Sequence, residues 1–208
     1  MPRQSMLLEI NFLSTWHSGT GKGEGMHLDA TTRKDELGLP MLPGRQIKGL
    51  IRHALTTGAH WNHWSHEVVD RLCGIGNIAG IETEKTLSRF DTQAGHLKIS
   101  SARLKQQWID YMSQKDVLER KPVCQHFYRT QRQTKLDFNG IAEDKSLRTL
   151  EVCIPVTLYS RIEWHSPEIN QDLAILKQAI ALIRSAGAHT SRGLGRVSCT
   201  LLTTGDAV

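Results

Sequence analysis

The chain is predicted to be an α+β domain of the ferredoxin-like class: strand, helix, strand, strand, helix, strand, with long insertions between them. Two observations predict it. Apolar and polar residues alternate near the start, around residue 97, over 150–164 and at the end. Two other stretches, entered at Gly44 and at Ser166, place apolar residues at helical intervals instead. At 208 residues there is enough chain for one well-cored domain over 1–208, with insertions near 16–42, 58–95 and 105–146.

Leu8, Ile10 and Phe12 alternate with Glu9 and Asn11, which places the first strand at 6–15. Residues 18–25, SGTGKGEG, form a glycine-rich loop in which Lys22 can touch phosphate. Its spacing lacks the glycine and hydroxyl residue of a nucleotide-hydrolysing P-loop. After Pro43-Gly44, residues Ile47, Leu50, Ile51, Ala54 and Leu55 mark one buried helical face, and Gly58 marks its end. Arg45, Lys48 and Arg52 form a basic stripe opposite, and the helix N-terminus favours an anion. An ordinary solvated face is the alternative.

Leu97 and Ile99 alternate with Lys98 and Ser100 as a second strand, and 75–94 reads as a loop. Between Lys105 and Asp144, Trp108, Tyr111, Phe127, Tyr128 and Phe138 are interspersed among Arg129, Arg132 and Lys135. Such interleaving suits stacking on bases beside paired phosphates, or a small packed subdomain. Strand-like alternation returns over Leu150–Trp164. Ser166-Pro167-Glu168 then caps a helix with Leu173, Leu176, Ala179, Ile180 and Ile183 on its buried face and Gly187 as its stop. The connection from His189 to Arg196 carries Arg192 and Arg196 around two glycines, able to present amides and guanidinium groups to phosphate or to make a tight turn, before a last strand at 197–202.

A formal charge of +5 points toward a polyanionic partner. Four scattered cysteines with no CxxC pair suit a reducing compartment. With no secretory signal and no apolar run of membrane-spanning length, a soluble, cytoplasmic protein with no membrane partner is expected. His60, His63, His66 and Cys73 together could supply four ligands to a structural zinc, or the histidines could be surface residues between two tryptophans.

Met41-Leu42-Pro43-Gly44-Arg45-Gln46-Ile47-Lys48-Gly49, followed by Arg52, resembles the Pro-Gly/Lys-Gly signature of the RAMP superfamily, the RNA-binding proteins of CRISPR systems. His189-Thr-Ser-Arg-Gly-Leu-Gly-Arg-Val197 resembles its C-terminal glycine-rich loop. Leu72-Cys73-Gly74 is similar to its Leu-Phe-Gly segment, and Gly95–Leu104 to a strand in which Ser101 replaces a common aspartate. Leu147–Pro155 continues the match.

The resemblance implies an RRM-like fold and a crRNA-binding backbone subunit of a type III or similar CRISPR effector, assembled with copies of itself and other effector subunits along a guide paired to target RNA. It implies that Lys22, Arg45, Lys48, Arg52, Arg132, Arg192 and Arg196 hold RNA. Asp29, fourteen residues before Pro43, falls where the RNA-cleaving subunits carry an aspartate, so it is the expected catalytic residue, with Mg2+ or Mn2+ as the divalent cation. Asp35 is the second choice, and His27 a helper. The family also implies a thumb-like hairpin, built here from Gln133–Gly140 and Ile141–Arg148, with Phe138 or Ile141 as the residue that wedges into the duplex or, alternatively, as core. Some relatives carry a zinc-bound insertion near the histidines. Two alternatives are a guide-processing endoribonuclease of the same superfamily, using His17 or His27, and a structural subunit that does not cut.

Overall fold

The computed structural model describes residues 4–23, 28–75, 93–164 and 169–202. In chain order it contains β1 (Gln4–Phe12), α1 (Gly44–His60), α2 (His66–Cys73), β2 (Gly74–Ile75), β3 (Gln93–Ala94), β4 (Leu97–Ile99), α3 (Gln106–Ser113) and α4 (Val117–Gln125). There follow β5 (Tyr128–Gln133), β6 (Arg148–Cys153), β7 (Thr157–Trp164), α5 (Ile169–Ala181), a 3-10 turn at Thr190–Arg192 and β8 (Val197–Leu202).

The central sheet runs β4-β7-β1-β8, with every neighbouring pair antiparallel. Each half of the path β1-α1-β4, β7-α5-β8 lays its strands apart and lets the other half fill the gap, the ferredoxin-like arrangement. Met6, Leu8, Ile10 and Phe12 point to one face of β1 and meet Ile162, Leu158, Leu201, Cys199 and Val197 across the ladders. Ile47, Ile51, Ala54 and Leu55 of α1 and Leu176, Ala179 and Ile180 of α5 close over that face. Each large aliphatic side chain there contributes about 1.5–3 kcal/mol by leaving water.

The first strand begins and ends earlier than its alternation suggests, because Leu13 and Trp16 leave the sheet for other partners: Leu13 N–H donates to Arg196 O, and Trp16 pairs with Cys153. The Leu150–Trp164 stretch is two strands in two sheets. Pro155 lies between them; β6 pairs with β5 and β7 with β1 and β4. Gly44 is required at the start of α1, since a Cβ there would collide with Ile99 O at the end of β4. Gly58 does not end α1. The helix runs on to His60, and the missing side chain makes room for the Trp64 ring, whose Nε1–H donates to Leu55 O at 2.8 Å. Likewise α5 stops at Ala181, six residues before Gly187. The Ser166-Pro167-Glu168 start lies outside the described residues, as does most of the 75–94 connection, whose ends pair as β2 and β3.

The insertion between β4 and β7 is where the structure adds most. Residues 106–125 form two helices, and 128–153 a hairpin. The register Gln133↔Arg148 closes the regular ladder. Beyond it, a separate tip is built on Asp137, whose Oδ1 accepts from Asn139 N–H at 2.9 Å and Ile141 N–H at 2.8 Å, with Gly140 at φ 78°. A hairpin is therefore present, but its ladder, Tyr128–Gln133 with Arg148–Cys153, shares only Gln133 and Arg148 with the expected arms, and the rest of 133–148 forms the tip, with Asn139-Gly140 in its turn.

Candidate nucleic-acid interface

The glycine-rich connection before β8 is laced to the chain leaving β1. Gly195 N–H donates to Thr15 O (2.8 Å), Ala188 N–H to His17 O (2.8 Å), and Ser14 Oγ–H to Gly193 O (3.2 Å) while Ser14 Oγ accepts from Arg196 N–H (3.0 Å). Gly187 and Gly195 adopt φ of 97° and 70°, and a Cβ on either would strike a carbonyl, His17 O or Ala186 O. Only glycine permits the two backbones to approach this closely. Leu194 then packs on Leu150 and Val152 of β6, and Arg192 Nη1–H donates to Gln133 Oε1 (3.0 Å) on β5. The connection is thus fastened to the base of the hairpin, with Arg192 and Arg196 exposed.

The second loop reaches the same base along the free edge of β6. Asp29 N–H donates to Thr149 O (2.9 Å), Glu151 N–H to Ala30 O (3.0 Å), and Thr149 N–H to Asp29 Oδ2 (2.6 Å). Asp29 is exposed, and its Oδ1 has no hydrogen-bond partner among the described residues. Arg132 stands directly across the ladder from Thr149. Lys22 joins through its backbone, its carbonyl accepting from Thr31 N–H at 3.0 Å. Asp29, Arg132 and Arg192 are therefore tied to the hairpin near the end of its ladder, and Lys22 and Arg196 lie on the two segments that reach it. Arg45 is exposed on the first turn of α1, beside Gln46, whose Oε1 accepts from Ser18 Oγ–H at 2.9 Å.

Lys48 and Arg52 do not join them. Arg52 donates to Cys73 O and Gly74 O, each at 2.9 Å, and caps the carbonyl end of α2; Lys48 donates to Leu97 O on β4 at 3.3 Å. β4 and β8 are opposite edges of the sheet, three strand spacings or roughly 14 Å apart. The basic stripe expected along α1 is divided by these contacts: its second and third members hold the fold together. Asp35 is also structural, its Oδ1 accepting from Leu37 N–H and Leu39 N–H.

At the hairpin tip Phe138 is 97% exposed and Ile141 65% exposed, so neither is a core residue. Both side chains stand in solvent on a preformed turn.

The four expected zinc ligands are not brought together. His66 opens α2 and Cys73 closes it, about 10 Å along the axis. The Cys73 side chain is buried, which pushes its thiol up. His60 and His66 do meet, ring against ring at 5.1 Å. No group of three or more His, Cys, Asp or Glu side chains among the described residues is placed to hold a metal ion. Asp29 offers one carboxylate, whose Oδ2 is engaged by Thr149 N–H.

His17, the alternative general acid or base, is 3% exposed, and its Nδ1 donates to Glu151 O at 2.7 Å. Burial pushes its pKa below 6.5, against the backbone hydrogen bond, and His189 adds to the lowering. It is a neutral, buried brace between two loops. His27 lies outside the described residues.

A protein-family model described as RAMP superfamily matches residues 9–198. Two solved structures are similar over the whole length. A chain of "Type III-B Cmr-beta Cryo-EM structure of the Apo state" has 13% identity, 99% of each chain covered and a TM-score of 0.64. A chain of "Cryo-EM structure of the Type III-B Cmr-beta bound to cognate target RNA" has 12% identity, 98% of each covered and a TM-score of 0.66. No curated protein matches the chain. No helix among the described residues is long and apolar enough to cross a membrane.

Proposed function

Because this chain belongs to the RAMP superfamily, we propose that it is a crRNA-binding backbone subunit of a type III CRISPR effector and that Asp29 cuts the target RNA paired to the guide. The observation that carries the reading is the anchorage of Asp29. The loop bearing this exposed carboxylate is hydrogen-bonded to β6 of a hairpin whose tip holds the exposed side chains of Phe138 and Ile141. The full-length fold likeness to chains of Cmr-beta, one of them in a complex bound to target RNA, supports it.

In this reading the exposed arginines hold phosphates, and sequence is read by pairing between the two RNA strands. Phe138 and Ile141 enter the duplex and displace a nucleotide, which unstacks its base and frees the neighbouring phosphodiester to bend. Thr149 N–H holds Asp29 Oδ2, which aims Oδ1 outward. Oδ1 takes the proton of a ribose 2′-hydroxyl, the 2′-oxygen attacks the adjacent 3′-phosphorus, and the 5′-oxygen leaves, taking a proton from water. The products are a 2′,3′-cyclic phosphate and a 5′-hydroxyl end. A divalent cation bound chiefly to the RNA would stabilise charge on the phosphate.

Purifying the protein and asking whether RNA accompanies it tests the binding half. A defined short RNA is expected to copurify, and a nucleic-acid-free monomer would refute the reading.

A further inference from the structure

Beside the hairpin lies a cavity of about 680 Å³ that none of the roles above uses. It is a trough between α4 and β5, floored by the loop at 34–38. Four cations line it: Lys34, Arg120, Lys121 and Arg129. Two acids, Glu36 and Glu151, oppose them. Glu151 is already engaged, its Oε1 with Lys34 Nζ at 2.9 Å and its Oε2 with Thr32 N–H at 3.0 Å. That leaves Arg120 and Lys121 facing Glu36 alone among the lining acids, and neither has a carboxylate within ion-pair distance among the described residues; Arg129 pairs with Val152 and so lies on the other face of β5 from Thr130. A trough of this size with a surplus of positive charge suits a nucleotide-sized anion.

Its position gives it a meaning. Thr130 lines it and pairs with Glu151; the next pair on the same face of the hairpin is Arg132 with Thr149, and Thr149 N–H is the group that holds Asp29. One pleat repeat, roughly 7 Å, separates the wall of the trough from the residue to which the carboxylate is bound. Arg132 continues the line of positive charge across that step.

Resting on the reading of Asp29 given above, we propose that the trough between α4 and β5 binds the cut strand on one side of the scissile phosphate, through Arg120 and Lys121. The test uses the full chain with a guide RNA annealed to a target RNA, 4-thiouridine being placed in one strand or the other, followed by ultraviolet crosslinking and peptide mapping. Crosslinks from the target strand are expected in the peptides spanning 117–130. An Arg120→Glu/Lys121→Glu variant that melts with the wild type is expected to lose them and to bind the paired target roughly tenfold more weakly, on the scale of one or two phosphate contacts. Crosslinks to the trough from the guide strand only, or from neither strand while the hairpin and the glycine connection still crosslink, overturn the proposal and leave the Asp29 reading intact. Absence of RNA binding altogether sinks the underlying reading and the trough with it.

Discussion

On the proposed reading Asp29 has two separable jobs, and two substitutions separate them. Its Oδ2 accepts from Thr149 N–H at 2.6 Å, while the same segment is also held by Asp29 N–H to Thr149 O and Glu151 N–H to Ala30 O. A hydrogen bond to a charged group contributes about 1.5–3 kcal/mol, but this carboxylate is exposed, so about 1 kcal/mol is the better figure. Asp29→Ala should therefore lower Tm by about 2–4 °C, the usual shift per kcal/mol for a chain of this size. Asp29→Asn keeps an acceptor for Thr149 N–H and should melt like the wild type. Both lose the base, and single-turnover cleavage of guide-paired RNA in the assembled complex should fall by about 10²–10⁴, with RNA affinity unchanged. Cutting by Asp29→Asn within a few-fold of wild type would refute the catalytic assignment. Loss of RNA binding by Asp29→Ala would refute the claim that backbone bonds suffice to hold the loop.

Other expectations follow from single contacts. Gly195→Ala must place a Cβ against Ala186 O at φ 70°, and should cost about 2 kcal/mol or more and weaken RNA binding; Gly193→Ala, at φ 84° but in open space, should cost only about 1–2 kcal/mol, as thermal melts would show. Arg52→Ala removes two charge-assisted bonds at the end of α2 and should lower Tm by roughly 4–8 °C, on the basis of about 2 kcal/mol, while RNA affinity stays within twofold. His17 has a folded pKa below its unfolded value of 6.5, so the unfolded chain binds the extra proton: its contribution is fully present above pH 6.5 and is lost as pH falls toward the folded pKa. The difference in Tm between pH 7.5 and 5.5 should shrink in His17→Asn; an unchanged difference would remove His17 as the cause.

What the sequence made legible was the frame. Alternation in β1 and β8 and the periodic faces of α1 and α5 are local signals, and they landed on elements of the right kind. Ser185–Arg196 and the stretch after β1 were harder, because their lacing through Gly187 and Gly195 is tertiary and shows only as glycines in a row. Arg52 and Lys48 share a helix face with Arg45, yet α2 and β4, not the helix, decide what that face meets. Spacing alone carries no information about it. The helices at 106–125 did have a signal. Asp116 caps α4 by accepting from Glu119 N–H, a cap with an acid three residues on, but Pro122 inside the helix and the basic, aromatic composition hid it. The placement of Asp29 beside Thr149 could not be read from the chain at all, since 120 residues separate the partners.

The central claim is that Arg192 and Arg196, fixed by the glycine connection to the hairpin root, carry an RNA strand. The direct measurement is RNA affinity as a function of salt for the wild type and for an Arg192→Ala/Arg196→Ala variant. Loss of two phosphate contacts to a single strand should make the log–log slope shallower by about 1.4, with weaker binding at low salt. A variant whose slope and affinity both match the wild type would contradict the account.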